Sequence, residues 1–255
     1  MKKAFTLALA LGLALPFLTA CGSNDATNTL SPSQADTGSI STPGGTTSVP
    51  QDAPLVSKVG DSLVFGTFEG KAVEWTCIDV RIDTTTNQVT EALLLSKDIL
   101  FERPWDTTPD ITEARWESST LREYLGNVWV GATFSQAEIN LILTSWISNP
   151  GRGTEDTAFI LSTDEVEQYF ATQESRIAKL SKDGAYDALD YWTRTPFSDN
   201  GEARAELVRF DGEIFKGDYG YVVGGSYGVR PAIWIDLTPE KPRSNPGVTP
   251  ASLSE

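Results

Sequence analysis

The side chains able to do chemistry are unevenly supplied in this sequence. Its 255 residues include 35 acidic and 20 basic side chains, two cysteines and no histidine. Without histidine there is no Ser-His-Asp or Cys-His nucleophile, no histidine-ligated zinc and no imidazole switch near neutral pH. Acid–base work would fall to carboxylates, as in glycoside hydrolysis. Asp156, Asp164, Glu165, Asp199, Glu202, Asp211, Glu213 and Asp218 are available, but their spacing selects no pair. Asp199-Asn200-Gly201-Glu202 and Asp211-Gly212-Glu213 lack the alternating acidic pattern of a calcium loop, and turn chemistry explains both. The glycine-rich stretch from Gly217 to Gly228 has no phosphate-loop lysine after it and reads as a surface loop. The expectation is no metal, no cofactor and no catalytic constellation.

Binding chemistry has more to work with. Arg122, Arg194 and Arg230 each lie close in sequence to a tryptophan or tyrosine. As guanidinium forks they could gather around an anionic ligand. Their positions in short, apolar segments favour the other reading, in which each pairs with a buried carboxylate and backbone carbonyls. An exposed indole could instead stack on a sugar ring. Most of the seven tryptophans fall at apolar, periodic positions and read as core, so Trp105, in the loop Phe101-Glu102-Arg103-Pro104-Trp105-Asp106, is the best exposed candidate.

At the N-terminus, Lys2 and Lys3 precede an apolar run of 14 residues from Ala4 to Phe17. That run is shorter than the roughly 20 residues a membrane-spanning helix needs, so residues 1–20 read as a secretion signal. Leu18-Thr19-Ala20-Cys21 resembles the lipobox of bacterial lipoproteins. The resemblance implies cleavage before Cys21, lipid on its thiol and an anchor in the cell membrane or outer membrane, facing the periplasm or exterior. Two or more acyl chains hold such a protein stably. Gly22 in place of an aspartate implies outer-membrane sorting in a host that has one. Cleavage would remove two basic and no acidic residues, taking the formal charge from −15 to −17. So acidic a chain is a poor partner for nucleic acid or anionic lipid, both of which need clustered Lys and Arg. Lipidation would also leave Cys77, within the strand-like Val73 to Ile78, as a lone buried thiol.

These groups need a scaffold, and the sequence divides accordingly. Residues 21–58 hold the lipidated cysteine and a Ser/Thr/Pro/Gly-rich linker without an aromatic, too polar to fold. Its 36 residues from Gly22 to Ser57 would reach about 30–36 Å as a random coil. Residues 238–255 read as a disordered tail. Between them, 59–237 is long enough for one domain with one core, and it contains every tryptophan. Strands are expected at Leu63–Phe68, Val73–Val80 and Ala92–Leu95, the first two joined by a Glu69-Gly70-Lys71 turn. Helices are expected after Ser118, after the capping box Ser135/Glu138 (running on through Ile142 and Leu143), and after the capping box Ser162/Glu165. Strands return at Ala158–Leu161, Tyr191–Thr195, Ala205–Phe210, Glu213–Lys216 and Val229–Asp236, with Asp211-Gly212 as a hairpin turn. Strands, then helices, then strands make a single compact α+β domain with a mixed or antiparallel sheet and a few short helices.

The same segment resembles a family of bacterial surface domains found in lipoproteins and secreted proteins. The landmarks are Phe65-Gly66, Trp75, Leu93-Leu94-Leu95-Ser96, Trp116 with Ser119-Thr120-Leu121-Arg122, Phe134-Ser135 with Glu138, Phe159-Ile160-Leu161-Ser162 with Glu165, Trp192-Thr193-Arg194-Thr195-Pro196, and Gly228-Val229-Arg230-Pro231-Ala232-Ile233-Trp234. Tyr124-Leu125-Gly126 and Phe197 depart from its pattern. The two closing arginine strands are also similar, more distantly, to sulfatase-modifying-factor and C-type-lectin-like domains, which implies a loop-rich fold presenting a binding surface. The copper-dependent oxidase of that superfamily uses two cysteines, and Cys77 has no partner. The expected function is a non-catalytic binding domain for a glycan or envelope protein. The alternatives are a carboxylate-dependent hydrolase of envelope glycans and a structural subunit of an envelope complex. Cys21→Ser should abolish incorporation of labelled palmitate into the chain and release it from the membrane fraction on carbonate washing.

Overall fold

The computed structural model describes residues 55–182, 185–199, 201–216 and 221–238. Cys21, the signal segment, most of the linker, Asp218 and most of the C-terminal tail lie outside the described residues. Contacts with the domain are already made ahead of Val59: Val56 is buried, and the Asp61 carboxylate accepts hydrogen bonds from Ser57 N, Ser57 Oγ and Lys58 N.

The first elements follow the alternating pattern. β1 (Ser62–Phe68) and β2 (Lys71–Ile82) form a hairpin whose turn places both Glu69 and Gly70 at positive φ. β3 (Val89–Ser96) pairs with β2, and its Leu93-Leu94-Leu95 run is buried. β4 (Phe101–Pro104) is a strand where a loop was expected, because the chain is caught there against a late strand. A chain of helical turns follows: a 3-10 turn at Trp116–Ser118, α1 (Thr120–Tyr124), a π-turn at Leu125–Trp129 and α2 (Val130–Thr133). The cap is Ser119, whose Oγ accepts from Arg122 N; Ser118 closes the preceding 3-10 turn.

The Ser135/Glu138 capping box opens α3 (Gln136–Ile139), which lasts one turn. Ile142 and Leu143, expected to continue it, form β5 (Ile142–Leu143) instead, because they pair with Ile235 and Trp234 near the end of the chain. A distant strand outbids local helical spacing there. β6 (Ser145–Ile147) and β7 (Thr154–Asp156) make a separate hairpin, followed by β8 (Phe159–Ile160), α4 (Thr163–Tyr169) behind the Ser162/Glu165 box, and α5 (Gln173–Arg176). β9 (Lys179–Lys182) and β10 (Ala185–Ala188) form a second separate hairpin. β11 (Tyr191–Asp199), β12 (Glu202–Val208), β13 (Ile214–Phe215), β14 (Tyr221–Val222), β15 (Ser226–Val229) and β16 (Pro231–Asp236) complete the fold. β12 and β13 are joined through Asp211-Gly212, as expected, with Gly212 at positive φ.

Two larger sheets result. One runs β1-β2-β3-β16-β5 with β8 also on β16, antiparallel throughout; the other runs β13-β12-β11-β15-β4 with β14 on β12, and its β11–β15 pair is parallel. The domain is therefore α+β, sheet-rich, with short helices. The expected strand Val229–Asp236 is divided at Arg230, where the chain leaves the second sheet and enters the first. Pro231 opens the new strand, a place that tolerates its missing N–H. Trp75, Trp105, Trp116, Trp129 and Trp192 are almost wholly buried. Among the described residues, no helix is long and apolar enough to cross a membrane.

Two landmarks of the sequence meet at a bulge in β1. The register shifts between Val64 and Thr67, and Gly66 has φ +79°. A Cβ there would stand 2.6 Å from Phe134 Cε1, and the Gly66 N–H donates to Glu138 Oε1 at 2.9 Å. Burial would raise the Glu138 carboxyl, but donors from Ser135 and Gly66 outweigh it and hold the group below the ordinary glutamate value. The stabilisation this confers is complete above the ordinary value and is lost as pH falls through the lowered folded one. Gly66→Ala should cost about 1–3 kcal/mol in urea unfolding at neutral pH. Glu138→Gln should flatten the fall in the urea midpoint over that acid range.

Candidate functional site

The residues singled out from sequence are largely spent on structure. Trp105 is not exposed: its accessibility is 0%, its Nε1 donates to Thr193 O at 3.0 Å, and its ring meets Trp116 edge-on at 5.8 Å. The cause is the pairing of β4 with β15, continued by Trp105 N and Asp106 N bonding to Val223 O, which turns the indole inward. Arg230 sits where the chain changes sheets. Its Nε and Nη2 donate to Ser96 O and Lys97 O, at 2.8 and 3.1 Å, and its guanidinium faces the rings of Phe170 and Tyr191. It thus ties the β3–β4 crossing to the β15–β16 crossing.

Arg194 is more constrained still, with a side chain 2% exposed. Nη1 and Nη2 grip the two oxygens of Glu165, and they also donate to Ile160 O at 3.0 Å and Ser148 O at 3.2 Å. Nε donates to Asn149 Oδ1 at 2.9 Å, so all five N–H groups have acceptors. Arg122 donates from Nε to Asp156 Oδ1 at 2.5 Å, and from Nη1 and Nη2 to Glu117 O and Glu155 O. Asp156 is buried and also accepts from Trp116 Nε1 (2.9 Å) and Thr154 Oγ1 (2.8 Å). The three arginines do not meet around one cleft; each has its own acceptors.

Arg122 and Arg194 nevertheless act on the same element. Arg122 holds Asp156 and the Glu155 carbonyl of β7, while Arg194 holds Ser148 and Asn149 in the turn between β6 and β7. Asn149 Nδ2 closes that turn on Thr154 Oγ1 at 3.0 Å. The hairpin buries Ser145, Ile147, Thr154 and Asp156 on one face and presents Trp146 and Glu155, paired in register, on the other. Trp146 is 68% exposed, the most exposed large apolar side chain among those described. Its ring lies against Gly153: a Cβ on that glycine would be 2.3 Å from Trp146 Cζ2. One side of the indole is therefore braced by backbone. A shallow cleft of about 450 Å³ begins at the turn, where Pro150 and Gly151 face Arg115, Glu117, Pro196 and Phe197.

This site was missed in the sequence, although signals for it exist. Ser145-Trp146-Ile147 and Thr154-Glu155-Asp156 each alternate, and Asn149-Pro150-Gly151 between them is turn chemistry. Four of the candidate carboxylates are already paired. Asp156 and Glu165 are locked by arginines, Glu202 pairs with Arg204, and Glu213 with Arg209. Cys77 is fully buried, and burial pushes its thiol up to about 11, which keeps it protonated and unreactive. Among the described residues no cluster of three or more acidic or cysteine side chains is placed to hold a metal ion.

Removing Glu165 would leave the Arg194 charge buried without its counter-ion. Glu165→Ala should cost about 3 kcal/mol in urea unfolding and raise hydrogen exchange across Trp146–Arg152. The double variant Arg194→Met with Glu165→Leu should recover much of the stability, since no charge is then stranded.

No curated protein and no solved structure matches the chain. A family model described as a domain of unknown function, DUF6273, matches residues 90–237, from β3 to the end of β16. The match takes in Arg122, the β6–β7 hairpin, the Arg194–Glu165 pair and the Arg230 crossing, and leaves β1 and β2 outside it. Because it spans more than half of the sequence, the chain belongs to the DUF6273 family of domains of unknown function.

Proposed function

We propose that this chain is a lipid-anchored envelope protein whose folded domain binds a glycan, with Trp146 as the stacking surface. The observation that carries this reading is a flat, exposed indole held on a hairpin that two arginines immobilise. A rigid aromatic loses little conformational freedom on binding, which is what a weak, repeated ligand such as a polysaccharide requires. The signal segment and Cys21 would place the domain outside the cytoplasm on a flexible tether. A distant similarity to C-type-lectin-like and sulfatase-modifying-factor domains would agree with a binding role; the arginine motifs that suggest it fall within β11 and at the β15–β16 crossing. Binding is preferred to glycan hydrolysis because two of the candidate carboxylates, buried Asp156 and half-buried Glu165, are engaged by their arginine partners.

The test is a glycan-array and calorimetric survey with the mature chain and its Trp146→Ala variant. The wild type should retain one class of envelope or extracellular glycan, and the variant should bind it about ten-fold more weakly while keeping its circular dichroism. Failure to bind any glycan, or equal binding by the variant, would overturn the reading.

A further inference from the structure

Resting on that reading, we infer that the glycan recognised at Trp146 carries free amino groups. Glu155 lies directly opposite Trp146 in the β6–β7 register. Opposed residues of an antiparallel pair hold their Cβ atoms about 4.5–5.5 Å apart on the same face. Both are exposed. Arg122 holds the Glu155 backbone carbonyl, whereas the Glu155 carboxylate has no hydrogen bond or ion pair among the described residues.

An indole face beside an unpaired carboxylate is a receptor for a cation. An ammonium gains attraction to the ring quadrupole and a charge-assisted hydrogen bond to the carboxylate at once. A neutral sugar would use only the ring, and an acidic one would meet both Glu155 and the chain's net negative charge. Gly153, on the same face two residues before Glu155, carries no side chain, so the indole can lie over it while the carboxylate remains free. Arg152 is the basic side chain of the turn, beyond Gly153 and out of register with Trp146. It is the residue an anionic ligand would use instead.

The experiment titrates the mature chain with glucosamine oligomers and with N-acetylglucosamine oligomers of equal length, at a pH where the amines are protonated. The amine form should bind about ten-fold more tightly, and added salt should narrow the gap. Glu155→Gln should abolish the difference without changing the thermal midpoint, and Arg152→Gln should leave it intact or widen it. Equal affinity for the two oligomers, no effect of Glu155→Gln, or weakened binding in Arg152→Gln would each overturn the inference. If Trp146→Ala still weakens binding of some other glycan about ten-fold in any of those cases, the stacking reading stands alone. If no glycan binds at all, both fall together.

Discussion

A guanidinium with almost no access to water must find an acceptor for each of its five donors, and at Arg194 that requirement organises half the domain. The acceptors come from four residues in three places: Ser148 and Asn149 in the β6–β7 turn, Ile160 in β8, and Glu165 in the first turn of α4. Arg194 itself is rooted in β11 of the second sheet. Satisfying one side chain therefore fixes a hairpin, a strand and a helix against a sheet. Glu165 is doubly committed, since its carboxylate also accepts from Ser162 N at the helix cap. The helix start and the ion pair are one structure.

Arg122 and Arg230 make the same kind of tie less completely, and Arg230 Nη1 is buried without an acceptor among the described residues. Arg122 reaches from the helical region to β7 through Asp156, which Trp116 and Thr154 also engage. Arg230 bonds the carbonyls at which β3 leaves the first sheet, at the point where β15 becomes β16. Around these polar joints the tryptophans supply apolar mass, and three of their indole N–H groups end on carbonyls: Trp75 on Phe65, Trp105 on Thr193, Trp192 on Arg103. Aromatic residues with a polar handle are suited to cores that must bridge strands distant in sequence.

The division of labour among the tryptophans bears most on function. Trp105 stood in what read as a loop and was expected at the surface, yet strand pairing between β4 and β15 buries it. Trp146 was passed over for Trp105 when most of the tryptophans read as core, yet it lies on the outward face of a two-stranded hairpin. Both differences have one origin. Exposure of an aromatic depends on which distant strand captures its backbone, and alternation over three or four residues is too short a signal to announce that capture. Of the arginines, Arg122 and Arg194 take the carboxylate and carbonyls expected of a long cation among apolar neighbours, while Arg230 takes carbonyls and aromatic faces. Their shared task of steadying the hairpin depends on partners far off in the chain.

What the sequence determined by itself is what local chemistry dictates: the absence of histidine, the capping boxes at Ser135 and Ser162, the Glu69-Gly70 and Asp211-Gly212 turns, the β1–β3 strands and the α+β class. Each is an interaction among residues a few positions apart. The tertiary structure alone decided that Ile142 and Leu143 would be strand, that the closing strand would divide at Arg230 between two sheets, and that Trp146 would be the indole left outside. These outcomes turn on pairings such as Ile142 with Ile235 and Arg194 with Asn149, whose free energy is gained only once remote segments have been brought together.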